Sequence, residues 1–254
     1  MKEFYHDHDK DRQEDKLARE PVAASDRADH ASFLREGIAA YASDEEAAGY
    51  FYRYGYRFET DIPDPDAGPG PYTLTDYYAL PEDVRTELID GRFYWMDSPT
   101  TTHQLISFEI HSAIARYIRK KGGRCVPFSA PVDVQLCRDD KTIVEPDVLV
   151  VCDRNKITEK RIYGSPDLTV EILSASTRRK DRILKLNKYR SAGVREYWIV
   201  DPDERTITVY LFSEDGGVER RTYDGTSQVP VGIYEGDCTV DFGEIFGYIE
   251  SLHD

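Results

Sequence analysis

The sequence predicts an α/β protein in which a mixed central β-sheet is flanked by helices. Short valine- and isoleucine-rich runs at about 143–152, 167–174 and 196–201 have the length and composition of buried strands. Residues 102–121 place Leu105, Ile106, Ile110, Ile114, Tyr117 and Ile118 on one helical stripe, and a second helix over 178–191 separates two of the strand runs. Strands and helices therefore alternate, and such a sheet is covered by helices on both faces.

Taken in order, residues 1–30 are mostly charged and small, the composition of a disordered or loosely helical segment. The run His6-Asp7-His8-Asp9 reads as part of that tail rather than as a metal site. Residues 31–60 are richer in aromatics, including Tyr41, Tyr50, Phe51, Tyr52, Tyr54, Tyr56 and Phe58, which suit capping a core or self-association. Asp61 to Pro71, with four prolines, reads as a stiff linker. The expected organisation is thus an acidic extension and linker over 1–70 and one principal domain over 71–254. Within the domain, Thr75 is expected to cap a short helix through Ala79, and Glu87 to Met96 to form a hairpin turning at Asp90-Gly91. The helix over 102–121 ends at Gly122-Gly123. Strands follow at about 125–137, 143–152 and 167–174. Ser176 or Thr177 caps the helix over 178–191, which stops at Gly193. Strands at 196–201 and 206–212 precede an acidic segment that closes on a short strand and a helix near Phe242 to Leu252.

No run approaches the roughly 18–20 apolar residues of a membrane span, and the charged N-terminus does not read as a signal peptide. A cytoplasmic protein is expected. Cys125, Cys137, Cys152 and Cys238 show no zinc spacing and are expected as free thiols, three of them in strands.

The chemistry concentrates between residues 145 and 202. Alternation along the strands puts Asp147 on the face of Leu149 and Val151, and Glu171 on the face of Thr169 and Leu173. A carboxylate aimed at apolar neighbours needs a cation or hydrogen bonds. Two of them on neighbouring strands point to a divalent metal, with Lys185 on the following helix completing the set. The net charge is −15, yet residues 99–202 carry 19 basic and 13 acidic side chains, a local +6. Arg178, Arg179, Lys180, Arg182 and Lys188 are the candidate phosphate contacts of that segment, with a second group at Arg116, Arg119, Lys120, Lys121 and Arg124. Solvated helix faces explain both groups equally well.

The pieces Pro146-Asp147, Pro166-Asp167 leading into Val170-Glu171-Ile172-Leu173-Ser174, and Asp181-x-x-x-Lys185-x-x-x-Tyr189, followed by Gly193 to Asp201, resemble the Uma2 family, also catalogued as DUF820. Upstream, Tyr72 to Tyr77, Glu87 to Gly91, Ser98-Pro99 and His103 match the same family's opening, so the resemblance spans roughly residues 72–250. It implies a restriction-endonuclease-like core of the PD-(D/E)xK nuclease superfamily. It also implies Mg²⁺ or Mn²⁺ held by Asp147, Glu171 and the Ile172 carbonyl, with DNA as the substrate. The superfamily lysine lies two residues after the glutamate, where this chain has Leu173; the family pattern places it instead at Lys185. In that reading Asp181 and Tyr189 share the Lys185 stripe and support it, while His103 and Glu109 are further supporting candidates. Glu145 reads as a strand-edge carboxylate, and Tyr197 and Trp198 as core. A homodimer is compatible with cutting two strands. The rival reading is a catalytically silent nuclease fold that binds nucleic acid or a protein partner.

Overall fold

The computed structural model describes residues 50–64 and 66–252. The His6–Asp9 run and most of the charged extension lie outside the described residues. Fourteen strands and four α-helices are described. A six-stranded mixed sheet forms the centre, in the order β12 (Val218–Asp224), β11 (Thr206–Phe212), β10 (Glu196–Asp201), β9 (Leu168–Ile172), β7 (Val148–Val151), β5 (Val126–Ser129). Only β9 and β10 run parallel, and the connection between them is helical, as a parallel crossover requires. It consists of a π-helical segment, Lys180–Lys185, running into α3 (Leu186–Ala192).

The pleat divides the strand residues between two cores. Val148, Val150, Leu168, Val170, Ile172, Trp198 and Val200 pack against Ile106, Ile110 and Ile114 of α2 (Thr101–Lys121) and against Phe242, Ile245 and Phe246 of α4 (Phe242–Ser251). Leu149, Val151, Leu173, Tyr197 and Ile199 face the other way, onto Tyr189 of α3 and onto β6 (Val134–Gln135), which pairs with β8 (Ile162–Tyr163). The sheet thus has helices on both faces. Trp198 and Tyr197 are core residues, and the Trp198 indole donates to Glu196 Oε1 at 2.7 Å. A short pair, β13 (Gln228–Pro230) and β14 (Thr239–Asp241), leads into α4.

A second sheet joins β1 (Tyr50–Arg53), β2 (Tyr56–Glu59), β4 (Arg92–Trp95) and β3 (Thr86–Ile89). Residues 50–59, assigned to the extension from composition, are therefore joined through β2 to the hairpin of the principal domain; Phe58 stacks on Phe93, Tyr56 meets Phe93 edge-on, and Phe51 meets Trp95 edge-on. The hairpin turns at Asp90-Gly91 as expected, both with positive φ (51° and 74°). A Cβ on Gly91 would meet the carbonyl oxygen of Gly70 at 2.4 Å. Gly91→Ala is expected to lower stability by more than about 1 kcal/mol, checked by urea unfolding; an unchanged midpoint would mean the Gly70 strap yields freely.

Several boundaries differ from expectation for identifiable reasons. Thr73, not Thr75, caps α1 (Leu74–Ala79), because Asp76 returns to the Thr73 amide in a capping box. Thr177 directly precedes the first helical residue, Arg178, as one of the two expected caps, and it bonds reciprocally with Ser174. The strand expected over 125–137 breaks at Ala130-Pro131, and its second half leaves the central sheet for β6. The cysteine expectation is corrected: Cys125 and Cys152 form a disulfide, while Cys137 and Cys238 are free. The reason is register. Val126 pairs with Val151 across β5 and β7, which sets the flanking cysteines opposite one another.

Candidate active site

Asp147 precedes β7 by one residue, and Glu171 lies near the end of β9. The antiparallel register pairs Val148 with Val170, so the same register sets Asp147 opposite Glu171. Both line a cavity of about 890 Å³ at this end of the sheet. Each carboxylate is held through one oxygen. Asp147 Oδ2 accepts from the Ile172 amide at 2.7 Å and lies 3.2 Å from His103 Nε2. Glu171 Oε1 accepts from Lys185 Nζ at 2.8 Å and from the Tyr189 hydroxyl at 2.5 Å. Asp147 Oδ1 and Glu171 Oε2 have no hydrogen-bond partner among the described residues.

The expected lysine comes from the helical crossover. Lys185 is 2% exposed, with Asp181 at 3.5 Å and Glu171 at 2.8 Å. Sequence reasoning missed its third partner, Glu87 of β3. Glu87 is fully buried; its Oε1 lies 2.7 Å from Lys185 Nζ and accepts from the Glu145 amide at 3.0 Å, and its Oε2 lies 2.7 Å from Lys180 Nζ. Burial favours a neutral Glu87, but the two ammonium groups outweigh it and hold its pKa down to about 2. Burial likewise opposes a charged Lys185, yet Glu171, Glu87 and Asp181 hold its pKa well above the ordinary lysine value. Burial, reinforced by Asp181, Asp147 and Glu87, raises Glu171 well above the carboxylate range despite Lys185. His103 is raised too: burial favours the neutral ring, and the Asp147 carboxylate overcomes it.

Each candidate phosphate contact has an acidic partner in the structure. Arg178 and Arg182 share Asp201, Arg178 also reaches Asp203, Arg179 pairs with Asp61, and Lys188 with Asp90. Lys180 is not on the surface at all; it is 7% exposed and faces Glu87. The second basic group lies toward the far end of α2, on the order of 25 Å along the helix from His103. Glu109 is half-buried on α2 and does not line the cavity. Glu145 does line it, where it pairs with Arg85 at 3.4 Å instead of standing at a free strand edge.

Seven carboxylates line the cavity against Arg85, Lys180, Lys185 and His103, so it favours a cation. No group of three or more His, Cys, Asp and Glu side chains that could hold a metal ion occurs among the described residues. A magnesium-type ion needs less than that: one or two carboxylates, with water and other oxygens completing the shell. Asp147 and Glu171, each with a spare oxygen in the cavity, fit that requirement, and both are hard oxygen donors. No helix among the described residues is long and apolar enough to cross a membrane.

The chain is similar to several known proteins. The family model described as "Uma2: Putative restriction endonuclease" matches residues 74–236. A curated Synechocystis protein, "Uncharacterized protein slr1290", is 28% identical over 131 residues, covering 51% of this chain and 67% of that protein. Among solved structures, "a putative nuclease belonging to DUF820" from Anabaena variabilis superposes with a TM-score of 0.56 at 25% identity. The match covers 70% of this chain and 99% of that one.

Proposed function

Because the chain belongs to the Uma2 family, we propose that it is a nuclease, and more specifically a divalent-metal-dependent endonuclease that hydrolyses phosphodiester bonds in DNA. One observation carries the reading: Asp147 and Glu171 meet across the β7–β9 register, beside a buried Lys185. Asp147, Glu171 and the Ile172 carbonyl would hold Mg²⁺ or Mn²⁺. When bound, the ion supplies Lewis-acid polarisation of the phosphoryl group and eases deprotonation of water.

The side chains supply the rest. His103 and the Ile172 amide fix one oxygen of Asp147, and Tyr189 and Lys185 fix one oxygen of Glu171, so neither carboxylate must be ordered when the site fills. Lys185 keeps its proton, because the carboxylates around it outweigh the cost of burial. It therefore stabilises negative charge developing on the phosphate and does not act as a base. In the strongly acidic cavity, a cation held by Asp147 and Glu171 would supply positive charge toward a phosphate beside Lys185.

The test is cleavage of supercoiled plasmid with Mg²⁺, Mn²⁺ or chelator, comparing wild type with Asp147→Asn. The variant should lose several kcal/mol of transition-state stabilisation, roughly a thousandfold in rate, and chelator should stop the wild type. Cutting that survives both changes would sink the metal-site reading, and no cutting by wild type with either ion would sink the endonuclease.

A further inference from the structure

We propose that Glu87 is the positioning residue of this site, clamping the ammonium groups of Lys180 and Lys185 side by side at the cavity wall. The inference rests on the nuclease reading, to which it adds a residue on a different sheet from the two candidate metal-binding carboxylates.

The argument starts from helix geometry. Lys180 and Lys185 are five residues apart, and on an α-helix they would point about 140° away from each other. In this chain the stretch Lys180–Lys185 is π-helical. Its i→i+5 repeat places residues five apart on the same side of the helix. The buried residues of the segment are Lys180, Asp181 and Lys185, so the irregular turn faces both lysines inward. There each oxygen of one carboxylate lies at ion-pair distance from one of them, Oε1 at 2.7 Å from Lys185 Nζ and Oε2 at 2.7 Å from Lys180 Nζ. The carboxylate is itself fixed, because Oε1 accepts from the Glu145 amide and β3 is locked in its hairpin.

The three side chains also differ in what else holds them. Lys185 has Glu171 and Asp181 as further partners, whereas Glu87 is the carboxylate at ion-pair distance from Lys180 among the described residues. Lys180, Lys185 and Glu87 all line the cavity that Asp147 and Glu171 line. The π-turn delivers a second cation to the wall where a phosphate would lie, and Glu87 sets where both cations stand. Glu87 touches neither substrate nor metal in this scheme; it acts through the lysines.

The experiment compares wild type with Glu87→Gln in plasmid cleavage and in amine acylation mapped by peptide mass. With position lost but binding kept, kcat should fall on the order of a hundredfold, while KM for DNA and Mn²⁺ affinity by calorimetry stay within about twofold. Lys180 should become reactive to the acylating reagent while the buried Cys238 thiol stays protected, which shows that the fold is intact. An unchanged kcat, a fall in Mn²⁺ affinity, or a Lys180 still protected would overturn the clamp. If Cys238 becomes reactive, Lys180→Met tests the clamp from its other arm: kcat should fall at unchanged Mn²⁺ affinity, and an unchanged kcat overturns it. If wild type cuts nothing, the nuclease reading fails, and the acylation pattern still decides the clamp.

Discussion

Lys185→Ala is expected to be the most damaging single change at the site, costing about 3–5 kcal/mol of stability. The reason is the company Lys185 keeps. It is 2% exposed, and Glu87, Glu171 and Asp181 all lie within 3.5 Å of its Nζ, so its removal leaves three buried carboxylates, of which Glu87 alone keeps a close cation, Lys180, among the described residues. Removing one partner of a buried pair costs far more than the pair contributes net, because the other charge stays out of water. Arg179→Ala makes the contrast. Arg179 is 60% exposed and meets a half-exposed Asp61, so solvent already screens both charges and the expected cost is about 0–1 kcal/mol. Urea unfolding of the two variants at neutral pH is the measurement. Equal midpoints would show that the buried carboxylates find protons or water without Lys185, and that the network is looser than its distances imply.

The same network shows how far the sequence could be read. Strand boundaries that rest on apolar runs were legible: Glu196–Asp201 and Thr206–Phe212 agree with expectation residue for residue. The hairpin turn and the Gly122 end of α2 were legible too, because positive φ leaves a composition signal at Asp-Gly and at a helix C-terminus. The structure also brings Asp147, Glu171 and Lys185 together; the two acids stand out as carboxylates embedded in apolar strands, while the lysine came from the family resemblance. Glu87 was not. Its partners lie 93 and 98 residues along the chain, and a glutamate within Thr-Glu-Leu-Ile reads as the polar position of a hairpin. Lys180 was misplaced because an i,i+5 spacing means opposite faces on an α-helix, and nothing local announces a π-turn. The arginines of 178–182 looked free because Asp201, which takes two of them, sits at the far end of the next strand. The disulfide was hidden for the same reason: only the β5–β7 register brings Cys125 to Cys152. Pairing across elements, rather than the elements themselves, is what a single sequence does not display.

The pH dependence of stability should separate two buried glutamates that face the same lysine. Burial alone would raise Glu87, but Lys180 and Lys185 hold it down to about 2, below an ordinary value of 4.5. A depressed carboxylate stabilises the fold at pH above its unfolded pKa, and that contribution is lost as pH falls from 4.5 toward 2. A shift of this size corresponds to roughly 3 kcal/mol. Glu171 has the opposite sign. Burial, with Asp181, Asp147 and Glu87 nearby, raises it well above 4.5 even though Lys185 pulls it down. Its contribution is therefore complete below the ordinary carboxylate pKa and is lost as pH climbs through the raised value. Metal-free wild type should thus lose stability on both sides of a mildly acidic optimum. Glu87→Gln should flatten the acid limb and leave the upper limb, while Glu171→Gln should do the reverse. Urea midpoints at about pH 3, 5, 7 and 9 read both limbs. Parallel curves for the two variants would show that the protons belong to the cluster as a whole. Opposite changes would show that Lys180, which lies against Glu87 alone, is what divides two otherwise similar carboxylates into one kept charged and one ready to give up its charge.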